Sequence, residues 1–155
     1  MSKVIIVYES KYGNTRLVAE TILEGMREVA GVEASLSELS EVASDKLVEY
    51  DAIVVGSPNH LGMATRSIRK FIDEVGKSGL AGKLTAVFDT YMGRDFKKAV
   101  KKMEKQISEK APGLKLAAHG LSLKVEGMKG PIAEGELSRG KEFGVKVATQ
   151  IKSQA

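Results

Sequence analysis

The segment Ser10-Lys11-Tyr12-Gly13-Asn14-Thr15 follows an apolar, β-branched run, Val4 to Tyr8, and passes straight into a helical pattern. Residues of these types at such a junction can hold an anion. A helix start leaves its first amide N–H groups without intrahelical acceptors, and its dipole favours negative charge. Ser10 and Thr15 add hydroxyl donors, and Gly13 lets the backbone turn and come close to a ligand. The competing reading is an ordinary helix start capped by Asn14 or Thr15. Two rival phosphate loops fail on spacing. The dinucleotide fingerprint G-x-G-x-x-G lacks all but Gly13, and Gly76-Lys77-Ser78 has Phe71 where a Walker loop needs glycine.

Two more segments could meet at the same place. Gly56-Ser57-Pro58-Asn59-His60-Leu61-Gly62 follows the apolar run Ala52 to Gly56, and Asp89-Thr90-Tyr91-Met92-Gly93 follows Leu84 to Phe88. Tyr91 is a candidate to stack on a flat ligand, and Asp89 either hydrogen-bonds that ligand or caps the next helix. His60 can supply a proton to a neighbouring ligand or be incidental to its loop, and His119 reads as a structural residue within a strand.

The elements that would position these segments alternate in type along the chain. Val4–Tyr8, Val32–Leu36, Ala52–Gly56, Leu84–Phe88 and Leu114–Leu123 read as strands, the central ones apolar throughout as in a sheet covered on both faces. Val18, Ile22, Met26 and Val29 stripe a first helix closed by Gly31, and Ile68, Ile72 and Val75 stripe another that ends before Gly76. A short helical turn is expected at Asp45–Glu49. Phe96, Val100, Met103 and Ile107 stripe a lysine-rich helix, and Leu137–Ile151 a closing one in which Gly140 and Gly144 share a side. Strict alternation with right-handed crossovers predicts an α/β fold, a doubly wound five-stranded parallel sheet of order 2-1-3-4-5, spanning residues 1–155 as one domain. Ligands of such sheets sit beyond the carboxyl ends of strands one and three, beside the loops after Tyr8, Gly56 and Phe88.

The inventory excludes much other chemistry. With no cysteine and only two histidines in 155 residues, thiolate zinc, iron–sulfur, cysteine nucleophiles and histidine-rich metal sites are not expected. No G-x-S-x-G elbow occurs, and the third strand ends in Gly56-Ser57-Pro58 where a phospho-receiver domain needs aspartate. The apolar runs are too short for a membrane span, and no signal peptide precedes the first strand, so a cytoplasmic location without membrane insertion is expected. The net charge of +4 points to acidic partners, although Lys97, Lys98, Lys101, Lys102 and Lys105 read first as a solvated helix face.

Taken together, Ser10-x-Tyr12-Gly13-Asn14-Thr15 resembles the phosphate loop of flavodoxins, usually T-x-T-G-N-T, with Tyr12 replacing a small hydroxyl residue. Gly56-Ser57-Pro58-x-x-x-Gly62 is similar to the second loop of the same proteins. It lacks their common tryptophan and sits closer to the flavodoxin domains of flavo-diiron oxygen reductases and to flavodoxin-like NAD(P)H:quinone oxidoreductases. The resemblance implies a flavin mononucleotide (FMN) site. The phosphate would lie on Ser10, Lys11, Tyr12, Gly13, Asn14 and Thr15, and the ring between Ser57, Pro58, Asn59, His60, Leu61 and Gly62 on one side and Asp89, Thr90, Tyr91 and Gly93 on the other. It implies an electron carrier that cycles FMN between oxidised, semiquinone and hydroquinone forms and serves redox partner proteins, with no catalytic side chain and no nucleic acid. The alternatives are an FMN-dependent NAD(P)H:quinone oxidoreductase, whose glycine-rich stretch after the fourth strand is absent here, and a module that kept the fold and lost the flavin. Oligomeric state stays open.

Overall fold

A computed structural model describes residues 1–154. Parallel strands β1 (Ser2–Tyr8), β2 (Val32–Glu38), β3 (Ala52–Pro58) and β4 (Leu84–Tyr91) alternate with helices α1 (Asn14–Arg27), α2 (Arg66–Gly76) and α3 (Lys98–Lys110). Two short 3₁₀ segments, Leu39–Glu41 and Ser44–Glu49, fill the connection between β2 and β3, the second falling where a helical turn is expected. The chain closes with β5 (Lys115–Leu116), β6 (Leu121–Lys124) and α4 (Glu136–Ser153). The sheet order is β2-β1-β3-β4-β5, with β6 also paired to β4, as the alternation predicts.

Burial on both faces explains the apolar strands. Val4, Ile6, Val54, Ala86 and Phe88 pack beneath α1 and α4, while Ile5, Val7, Ile53, Val55 and Val87 pack beneath α2 and α3. Adjacent residues of one strand thus serve opposite cores, the period-two geometry of a strand. At the carboxyl edge the Phe88 ring lies across Gly56, where an added Cβ would fall 2.0 Å from the ring. Gly56 is therefore required by packing.

The edge strand differs from the single Leu114–Leu123 expected. Leu116 pairs with Thr85 and Leu121 with Phe88, so four residues, 117–120, stand opposite two. The two extra residues loop out, and the strand is split into β5 and β6. His119 sits exposed in this interruption and is not the structural strand residue expected of it. The Gly120 amide turns instead to Glu104 Oε2 at 3.0 Å.

Helices α1 and α4 approach through glycines. An added Cβ on Gly144 would fall 2.1 Å from the Ile22 carbonyl oxygen, and one on Gly25 2.1 Å from that of Lys141. Gly76, which lies inside α2 rather than after it, makes a similar approach to the Lys110 carbonyl. Gly140 is different, since its added Cβ would meet nothing closer than Thr21 Cγ2 at an ordinary 3.4 Å. No helix among the described residues is long and apolar enough to cross a membrane. In urea unfolding, Gly144→Ala is expected to destabilise the protein by about 1–3 kcal/mol through overpacking. Gly140→Ala should be neutral or stabilising by up to about 1 kcal/mol through helix propensity.

Candidate functional site

Strand β1 runs into a helix on one face of the sheet and its neighbour β3 into a helix on the other, so their carboxyl ends part and leave a crevice. Its volume is about 410 Å³, within the range of roughly 300–1,000 Å³ common for small-molecule sites.

The first loop supplies the polar end. Gly13 is the N-cap of α1 at φ 93°, in the left-handed region, and makes no side-chain cap. Neither Asn14 nor Thr15 caps the helix, so the ordinary-start reading does not hold. The Ser10 hydroxyl accepts from the amides of Gly13 at 3.1 Å and Arg16 at 3.3 Å, which shapes the turn. The amides of Lys11, Tyr12, Asn14 and Thr15 donate to nothing among the described residues. All four residues, with Ser10, line the crevice. Free donors at a helix amino terminus, facing an open cavity, make a cradle of a kind that can hold an anion. Its floor is tied to β4, because the Thr15 and Thr90 hydroxyls share a hydrogen bond of 2.9 Å.

The second segment begins inside the sheet, as β3 continues to Pro58. Ser57 is fully buried and does not line the crevice; its hydroxyl donates to the Pro58 carbonyl at 2.9 Å and accepts the Thr65 amide at 2.9 Å. His60 and Met63 exchange backbone hydrogen bonds of 2.7 and 3.0 Å around Leu61 and Gly62, a two-residue hairpin. Both central residues have positive φ, 54° at Leu61 and 82° at Gly62, as a type I′ turn requires. Leu61 carries a side chain in that conformation at a cost of roughly 1–2 kcal/mol. Asn59 holds the hairpin: its Oδ1 accepts the Gly62 amide at 2.8 Å, and its Nδ2 donates to the Asp95 carbonyl at 3.3 Å. Pro58, Asn59, His60 and Leu61 line the crevice.

The third segment is shaped by strand pairing. Strand β4 continues through Tyr91 because it pairs with Ser57–Pro58 of β3 and with Ser122–Lys124 of β6. Strand alternation then sends Thr90 toward Thr15 and its neighbours Asp89 and Tyr91 to the α3 side. The Tyr91 ring packs on Phe96 at 5.4 Å between centroids and does not line the crevice; Thr90 and Met92 do. Gly93 stands apart from the lining as well, at φ 60°. Of the two roles open to Asp89, the structure takes the cap. Fully buried, it accepts the Val100 amide of α3 at 3.1 Å and the Ser122 hydroxyl at 2.6 Å.

A fourth loop, unforeseen from the sequence, closes the crevice. Val125 bridges to Ile132, and between them Met128, 62% exposed, accepts a hydrogen bond from Tyr12 Oη at 3.4 Å. Val125 and Met128 both line the cavity. The loop presses on the cradle, since a Cβ on Gly130 would lie 2.6 Å from Asn14 Oδ1. Its signal in the sequence is Gly127-Met128-Lys129-Gly130-Pro131, loop chemistry with an exposed apolar side chain at its centre. The cavity is thus polar at the α1 end, with Leu61, Met92, Val125 and Met128 giving the rest an apolar lining.

Comparison with known proteins agrees with this arrangement. The profile of the flavodoxin domain family matches residues 5–122. The chain belongs to that family. Its flavodoxin relative from Aquifex aeolicus is 33% identical over 75 residues, 48% of this chain and 40% of the relative. An NAD(P)H dehydrogenase (quinone) from Chromohalobacter salexigens is 34% identical, covering 54% of this chain and 52% of that protein. This flavodoxin-family chain therefore spans about half the length or less of these two curated relatives. A solved flavodoxin from the domain Archaea superposes with a TM-score of 0.82 at 27% identity, over 97% of this chain and 99% of its own. The family implies a flavin cofactor.

Burial pushes the Asp89 carboxyl up from 3.8 to about 6, against the hydrogen bonds from Ser122 and Val100, which favour the charged form. Between those two values the folded protein holds more proton than the unfolded chain, so this group's contribution to stability falls as pH rises from about 4 to 6. A carboxamide in its place cannot ionise. Urea titrations at pH 4 and pH 7 should show wild type losing about 2–3 kcal/mol relative to Asp89→Asn across this window.

Proposed function

We propose that this chain is an FMN-dependent electron carrier. The observation that carries the reading is the set of unpartnered amides at Lys11, Tyr12, Asn14 and Thr15, opening onto a crevice whose far part is lined largely by apolar side chains. These donors fit the dianionic 5′-phosphate, and the Thr15 and Thr90 hydroxyls stand where the sugar chain would leave it. Leu61 and the Pro58–His60 backbone fit one side of a flat ring, and Met92, Val125 and Met128 fit the other. Bound FMN would supply the electron-storing chemistry. The protein's part is to hold the phosphate, exclude water with the apolar lining, and keep the strained Leu61–Gly62 hairpin against the ring edge through Asn59.

A second reading, an NAD(P)H:quinone oxidoreductase, is favoured by the relative from Chromohalobacter salexigens. Steady turnover of NAD(P)H with a soluble quinone would select it over the carrier.

The purified protein, stripped and titrated, is expected to bind FMN and develop the visible spectrum of a protein-bound flavin. Riboflavin, which lacks the phosphate, should bind at least ~100-fold more weakly, since two lost charge-assisted hydrogen bonds are worth about 1.5 kcal/mol each or more. A colourless protein that takes up no FMN overturns the proposal and leaves the flavin-free module.

A further inference from the structure

Helix α3 turns Val100, Met103 and Ile107 into the core, so Lys98, Lys101, Lys102 and Lys105 face solvent with Lys97 at the cap. Rows of like charge at i and i+4, here 97-101-105 and 98-102, oppose helix formation. The stability of α3 does not account for them. Nearby carboxylates are engaged: Asp95 pairs with Lys98 at 3.0 Å, Glu104 accepts the Gly120 amide at 3.0 Å, and Glu109 lies 3.9 Å from Lys105. Lys97, Lys101 and Lys102 have no ion-pair partner among the described residues.

This face borders the crevice. Lys98 Cδ and Lys102 Nζ lie 3.5 and 3.6 Å from where a Cβ on Gly62 would stand, and the Lys97 ammonium sits 5.1 Å from the Phe96 ring centroid. Beside the lysines is an exposed apolar rim: Leu61 at 98%, Phe96 at 47% and Met92 at 40%. An apolar centre flanked by charge is the anatomy of a protein docking face. Binding to single strands of nucleic acid relies on open aromatic platforms, whereas this rim is mostly aliphatic and its one exposed ring lies beneath Lys97.

We propose that α3 and the Leu61–Met92–Phe96 rim form the docking face for an acidic electron-transfer protein. Its carboxylates meet Lys97, Lys101 and Lys102 while its apolar centre covers the hairpin tip. The assignment of an electron-transfer partner rests on the proposed FMN site; the charge and apolar character of the face do not.

Two haem proteins serve as probes, acidic cytochrome b5 and basic cytochrome c, with the double variant Lys97→Asn/Lys101→Glu as the altered face. Asn tolerates the left-handed backbone of position 97. By titration calorimetry at low salt, wild type should bind cytochrome b5 and not cytochrome c. Its affinity for cytochrome b5 should fall about tenfold in the variant and about tenfold as salt shortens the range of the charges. Failure to bind cytochrome b5, or equal binding by the variant, overturns the docking face and leaves the FMN reading intact. A short DNA duplex that binds more tightly than cytochrome b5 and is lost in the same variant overturns it in favour of nucleic acid. Binding of cytochrome b5 by a protein that takes up no FMN would uphold the face while ending the FMN reading.

Electron transfer gives an independent arm. After reduction by dithionite, one electron leaves the protein-bound flavin and converts ferric haem to ferrous. The variant should slow this about tenfold with cytochrome b5 at low salt, and should leave oxidation by neutral 1,4-benzoquinone unchanged. Equal slowing with both oxidants would place the effect at the flavin and overturn the docking assignment.

Discussion

Because α1 starts from Gly13 in the left-handed region, no side chain at the cap turns back onto the first helical amides, and those of Asn14 and Thr15 stay free alongside Lys11 and Tyr12. Ser10 takes up only the Gly13 and Arg16 amides, which fixes the curve of the loop without filling it. An amino terminus finished this way has donors and a favourable dipole but no acceptor of its own. The rest of the crevice is arranged around that incomplete hydrogen bonding. Four loops converge on it.

What keeps those loops in register is a set of cross-ties that run between neighbouring strand ends. Thr15 meets Thr90, the Asn59 amide donates to the Thr90 carbonyl at 2.8 Å, and the Asn59 side chain reaches both Gly62 and Asp95. Beneath them Phe88 lies against Gly56, and Asp89 joins β4 to α3 and β6. Each tie is a single hydrogen bond of about 0.5–1.5 kcal/mol net, more where a charge takes part. Their shared residues, Thr90 and Asn59, make the crevice wall behave as one piece, which is what lets Leu61 remain in a conformation unfavourable to a side chain.

How much of this was legible depended on what kind of constraint each residue obeys. Most of the helix stripes, the buried strands and the loop into α1 at Ser10–Thr15 follow from local patterns of side chains and backbone freedom, and they stand where the sequence placed them; Phe96, expected in the stripe of α3, lies before that helix and is exposed, and Val29 lies beyond the end of α1. Asp89 and Tyr91 did not, because strand pairing carries β4 three residues further than its apolar run and alternation then decides the face. The interruption at 117–120 is set by a register shift against β4 and by Glu104 drawing the Gly120 amide aside. Nothing in the composition of Leu114–Leu123 encodes that shift. Met128 comes to the crevice only because β6 pairs with β4 and aims its following loop at Asn14 and Tyr12.

The amino-acid sequence alone determined the order of the sheet, the two cores and the presence of a helix start with free amides beside β1, since these rest on periodicity and on groups close together in the chain. Only the tertiary structure decided which side chains face the crevice, that Gly25 and Gly144 join two helices, and that a lysine-rich helix borders an apolar rim. Those outcomes are set by contacts between segments tens of residues apart, whose geometry depends on register and packing rather than on local preference.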